Sequence, residues 1–136
     1  MSTVSVRYIV DDVDAAIDFY CEQLGFEQQM HRDPAFAMLT RGDLRLVLVS
    51  PVGPDHPGGG SRPMSDGIKQ QAGGWNRIML QVSDLESTVE ALRPAGVRFR
   101  NEIVTGIGTK QILVQDPAGN VVELFEPIRS EARLSS

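Results

Sequence analysis

The feature that most constrains this chain is an internal repeat. With Asp12 placed over Asp84, an offset of 72 residues, Val10 falls on Val82 and Val13 on Leu85. The candidate strands 5–10 and 77–82 then superpose. Downstream, "LGF" at 24–26 matches "AGV" at 95–97 with a one-residue slip, and "LVLVSP" ending at Pro51 matches "VELFEP" ending at Pro127. Each half reads strand, helix, then three strands. Such a repeat outranks local propensity, because missing it misassigns the whole fold.

The helices carry start and stop signals. In the first, Val13, Ala16, Ile17, Tyr20 and Leu24 keep helical spacing, with Asp11 or Asp12 as cap and Gly25 just past the end. In the second, Ser83 and Glu86 have the spacing of a capping box. Leu85, Val89 and Leu92 form its apolar stripe, and "RPAG" stops it. The strands expected after the first helix are 26–32, 36–40 and 44–50. Those after the second are 97–103, 111–115 and 121–126. "RGD" and "DPAGN" supply turns between them.

Alternation along the strands separates two faces. One collects Val6, Tyr8 and Val10, Leu44, Leu46 and Leu48, Ile78, Leu80 and Val82, and Val122 and Leu124. Apart from the Tyr8 hydroxyl it is apolar, so this is the side the helices cover. The other collects Ser5, Arg7 and Ile9, Arg45, Val47 and Val49, Arg77, Met79 and Gln81, and Val121, Glu123 and Phe125. A mixed face of this kind suits solvent, another subunit or a ligand, so any chemistry belongs there.

Composition narrows the function classes. A chain of 136 residues, 41% hydrophobic and 23% charged, fits one folded domain or two small modules sharing a core. Its net charge of −5 argues against a nucleic-acid or anionic-membrane partner. No apolar run approaches the roughly 18 residues of a membrane span. "MSTVSVRYIV" lacks the basic start and apolar core of a signal peptide, so a cytoplasmic setting is the expectation. Cys21 is the single cysteine and has no His or basic neighbour in sequence. It reads as a core or boundary residue rather than a nucleophile.

Between the halves, residues 51–76 carry seven glycines and four prolines. This stretch is either a crossover linker or a flap over the mixed face, with Arg62, Met64 and Trp75 available to a ligand. It has no phosphate-loop pattern.

The tandem strand–helix–three-strand modules, opened by "VDDVDAAIDFYCEQLGF" and closed by "DPAGNVVELFEP", resemble the vicinal oxygen chelate superfamily. That superfamily includes glyoxalase I, bleomycin-resistance proteins, fosfomycin-resistance transferases, methylmalonyl-CoA epimerase and extradiol dioxygenases. The resemblance spans about residues 4–127. It implies an α+β fold of two βαβββ modules, 4–51 and 77–127, forming a cup-shaped mixed sheet with helices outside. The 52–76 stretch joins them and a polar tail occupies 128–136. It also implies ligand bound inside the cup, on the mixed face.

In metal-using members the ligands come from strand positions that correspond here to Ser5, Val47, Arg77 and Glu123. Val47 has no donor, Ser5 is a weak one, and Arg77 is a permanent cation, so Glu123 alone matches. The resemblance further implies that Arg77 and Glu123 lie side by side. Their pairing would be either a structural ion pair or a polar anchor in a pocket of Phe36, Met38, Met79, Phe125 and Trp75, with Arg45 nearby. Trp75 is either a packing residue or a cover for a flat aromatic ligand. Arg7 and Arg45 either reach solvent or pair across a dimer. His31 and His56 match no ligand position, and no nucleophile motif is present.

The reading these observations support is metal-independent binding of a small apolar or aromatic molecule by a homodimer, with no cofactor. Sequestration, as in antibiotic resistance, is one use of such binding. The alternative is a lyase, isomerase or dioxygenase with a degenerate or relocated divalent-metal site, or a metal-free enzyme with Glu123 as base. A scaffold with a filled cup is the third.

Overall fold

A computed structural model describes residues 4–52 and 60–128. His56, the middle of the Gly/Pro-rich stretch and all of the polar tail beyond Ile128 lie outside the described residues.

The chain divides into two compact units, the first made of Met1–Gly73 with Pro117–Asn120, the second of Gly74–Asp116 and Val121–Ser136. The first unit begins with β1 (Val4–Ile9) and α1 (Val13–Asp18), followed by a π-helical turn over Phe19–Gln23. Asp12 is the cap: its carboxylate accepts the Ala15 N–H at 3.1 Å and supplies a partner for a helix-end donor. The expected single α-helix to Leu24 therefore gives way to a wider turn at its end. Adjacent Phe19 and Tyr20 are both buried there, and their rings meet edge-to-face at 5.0 Å.

Strands β2 (Glu27–Asp33), β3 (Phe36–Arg41) and β4 (Leu44–Val49) complete this unit in the order β1-β4-β3-β2. The β1–β4 pair is parallel and the others are antiparallel. Helix α1 lies against β3 and β4. Its Val13, Ala16 and Ile17 are buried, as are Ala37, Leu39, Leu46 and Leu48 in the strands. The Asn120 side chain is part of this unit too. It donates to the Ile9 carbonyl and accepts the Gly73 N–H, each at 2.8 Å.

The second unit has β5 (Ile78–Gln81), α2 (Leu85–Leu92), β6 (Arg98–Phe99), β7 (Val104–Thr105), β8 (Thr109–Gln115) and β9 (Val121–Pro127). Its order is β5-β9-β8-β6, with β7 also on β8, and β5–β9 is parallel. Ile78, Leu80, Ile112, Val114, Val122 and Leu124 bury one face, with Leu85, Val89 and Leu92 of α2 also buried.

Two expectations change here. The 97–103 strand is split, because pairing jumps from Phe99↔Val114 to Val104↔Gln111, five residues against three. The Asn101 side chain takes the Leu113 N–H at 2.9 Å, replacing a ladder bond across this bulge. The expected Ser83–Glu86 capping box is also absent. Asp84 caps α2 by accepting the Ser87 N–H at 3.1 Å, and Glu86 binds Lys110 instead. Aspartate reaches an N3 amide as well as serine does, so either assignment satisfied the local pattern.

Candidate functional site

Within the second unit, parallel β5–β9 register sets Met79 beside Glu123 and Gln81 beside Phe125, while Leu113 flanks Glu123 from β8. Both faces of β9 are buried. Glu123 is 3% exposed, and Val121 and Phe125 are buried too. Edge strand β5 leaves Met79 52% exposed. The expected mixed face is thus open at its edge and closed at its centre.

A carboxylate this buried requires a charge partner and hydrogen bonds. Arg77 supplies both. Its Nε lies 3.0 Å and its Nη2 2.9 Å from the same oxygen, Oε1 of Glu123, and its Nη1 donates to the Trp75 carbonyl at 3.1 Å. The adjacency implied by the resemblance is present.

Trp75 is 65% exposed, and the Arg100 guanidinium lies 4.8 Å from its ring centre. Arg100 was not among the residues expected from sequence. Its signal was strand parity: Phe99 pairs with Val114 toward the helix side, so the next residue points to the mixed face. Trp75, Arg77, Arg100 and Glu123 form one connected group.

In the first unit, Met38 and Arg7 both pair with Val47, Phe36 pairs with Val49, and Arg45 pairs with Ser5 and Thr40. Phe36, Met38 and Arg45 are half-buried, so these three expected residues share one sheet face apart from the second unit's five. The glycine-rich stretch returns against this sheet. A Cβ on Gly60 would lie 2.8 Å from Cζ of Arg7, and the buried Ser61 hydroxyl donates to the Ser50 carbonyl. Met64 is exposed, and the Arg62 carbonyl accepts from Gln70 at 3.1 Å.

The remaining chemical groups have ordinary partners. Nε2 of His31 is 3.4 Å from Asp14. Burial, followed by the Asp18 and Glu22 charges, pushes the Cys21 thiol up, the opposite of what a nucleophile needs. Carboxylate oxygens of Asp84, Glu86 and Glu126 lie within 4.8 Å of one another. Lys110 sits among them, 2.9 Å from Glu86 and 3.7 Å from Glu126, while Glu126 accepts the Leu85 N–H at 2.8 Å. This cluster is the start of α2, where three carboxylates share one ammonium.

The metal positions implied by the resemblance can be tested against these contacts. Val47 is a buried hydrocarbon, Ser5 is exposed on an edge strand, and Arg77 is a cation. The one carboxylate, Glu123, already holds two N–H donors on one oxygen. These residues do not fit a divalent metal.

Comparison with known proteins places this geometry. A model of the Glyoxalase/Bleomycin resistance protein/Dioxygenase superfamily matches residues 3–124. A bleomycin resistance protein of Geobacillus stearothermophilus is 26% identical over 127 residues, covering 89% of this chain and 93% of that one. A member of the same superfamily from Sphaerobacter thermophilus superposes with a TM-score of 0.71 at 26% identity, over 93% of this chain and 97% of the other. TnmS3, an antibiotic binding protein from Streptomyces sp. CB03234, superposes with a TM-score of 0.64 at 25% identity, over 93% and 96%.

Proposed function

The chain belongs to the Glyoxalase/Bleomycin resistance protein/Dioxygenase superfamily, and from that premise we propose that it binds a small aromatic or amphipathic molecule without a metal. The observation that carries this reading is the Arg77–Glu123 pair. The guanidinium consumes the one carboxylate that the metal positions retain, and leaves a neutral, oriented polar anchor beside exposed Met79 and Trp75.

Apolar contact supplies the affinity in this account. A ring system the size of an aromatic side chain buries about 200 Å², on the order of 5 kcal/mol before the cost of association. Within the first unit by itself, Phe36 and Met38 present apolar surface with Arg45 as a polar neighbour. The bleomycin resistance and antibiotic binding relatives support a binding role, and sequestration is its simplest use. General-base catalysis by Glu123 is disfavoured, because a base needs a carboxylate free to reach its proton.

Elemental analysis combined with metal-supplemented thermal shift tests the metal-free claim. No stoichiometric Zn, Ni, Fe or Mn, and no rise in Tm on adding them, is the expected result. Stoichiometric metal with a clear rise would remove it. We also propose a homodimer and a cytoplasmic setting; no described helix is long and apolar enough to cross a membrane. Sedimentation velocity tests the dimer, and a single species at 14.9 kDa would rule it out.

A further inference from the structure

Arg100 has no structural task that its position requires. It is exposed, and among the described residues the one contact its guanidinium makes is with the Trp75 ring. An arginine carries five N–H donors in a rigid fork. Among the described residues none accepts a hydrogen bond from this fork in Arg100. Arg77 uses three on Glu123 and the Trp75 carbonyl, which leaves it two more.

Charge on this face runs against the chain as a whole. Arg98 shares this parity through its register with Gln115, but its guanidinium is already committed to the Asp116 carbonyl at 3.1 Å. Arg77 and Arg100 against Glu123 make a local charge of 2 − 1 = +1 in a chain whose total is −5. A cationic ligand would be repelled here, and a purely apolar one would leave the Arg100 fork unused.

The geometry points to a planar aromatic carboxylate as the class of ligand this face takes. It rests on the small-molecule reading above and adds a sign and a shape. The ligand ring packs against the exposed indole of Trp75, and its carboxylate takes two parallel N–H bonds from Arg100. Stacking on Trp75 already holds the guanidinium, so little further freedom is lost when the anion arrives.

Trp75 is the only tryptophan, so the single indole N–H signal of a 15N-labelled sample reports this site. Three probes share one ring: 1-naphthoate, 1-naphthamide and 1-naphthylmethylammonium. Naphthoate is expected to shift the signal saturably, the amide to bind roughly tenfold more weakly, and the ammonium not to bind. Arg100→Gln is expected to weaken naphthoate about tenfold and leave the amide unchanged. Arg93→Gln is the control, since its guanidinium lies 4.7 Å over Phe99, which pairs with buried Val114 on the opposite face, and it should change neither. Equal or tighter binding of the amide or the ammonium overturns the anionic assignment and leaves the small-molecule reading standing. So does an Arg100→Gln variant that binds naphthoate normally. Failure of all three probes overturns both.

Discussion

Arg77 places two N–H donors on a single oxygen of Glu123, at 2.9 and 3.0 Å, on the one carboxylate among Ser5, Val47, Arg77 and Glu123. The carboxylate is 3% exposed, so this contact decides which further partners it can take.

Removing the arginine alone leaves a buried carboxylate without a partner. Arg77→Met is expected to lose about 2 kcal/mol in urea unfolding, below the ~3–5 kcal/mol of fully buried pairs because water reaches the arginine's side of the contact. Adding Glu123→Leu to it should restore most of the stability, since an apolar pair of similar volume replaces two desolvated charges. A double variant as unstable as the single one would show that the pair does more than neutralise itself.

Arg77→His tests whether the arginine excludes metal. Imidazole and carboxylate side by side are two competent ligands, so Zn should raise the Tm of the variant and not that of the parent chain. No rise in the variant would show that the loss of donors at Ser5 and Val47 suffices to abolish the site.

Gly60 meets the end of Arg7, a side chain able to move. Gly60→Ala should cost less than about 1 kcal/mol, and should cost nothing further in an Arg7→Ala background, as expected for residues in direct contact. Additive effects on Tm would mean that the loop does not rest on Arg7.

The start of α2 sets a pH response. The Ser87 N–H holds the Asp84 carboxyl below its ordinary range, and Lys110 does the same for Glu86. A carboxyl lowered in the folded state stabilises fully above its unfolded pKa, near 4. That stability is lost as pH falls through the lower folded value. Glu86 in turn raises the Lys110 ammonium, whose contribution persists until pH climbs through that raised value. Lys110→Met should therefore flatten the urea-midpoint profile below the unfolded carboxyl value of about 4. An unchanged profile would place the acid sensitivity elsewhere.

Much of this arrangement was legible beforehand, because it depends on local pattern. Period-2 alternation predicted the helix-covered faces: Tyr8, Leu46, Leu48, Ile78, Leu80, Val122 and Leu124 are all buried. Parity also identified Arg77 and Glu123 as members of one face. Burial of Phe125 and Val121 was not legible, since a strand's own residues do not record what will cover its second face.

The sequence alone determined the repeat, the element order, the faces and the poverty of metal donors, because each follows from residue type and spacing along the chain. Only the tertiary structure decided that the helix widens at Phe19, that the 97–103 strand breaks at Asn101, and that Arg100 lies over Trp75. Those outcomes depend on which strands become neighbours and in what register. Trp75 and Arg100 are 25 residues apart. What joins them is a set of hydrogen-bonded partners that no local window contains.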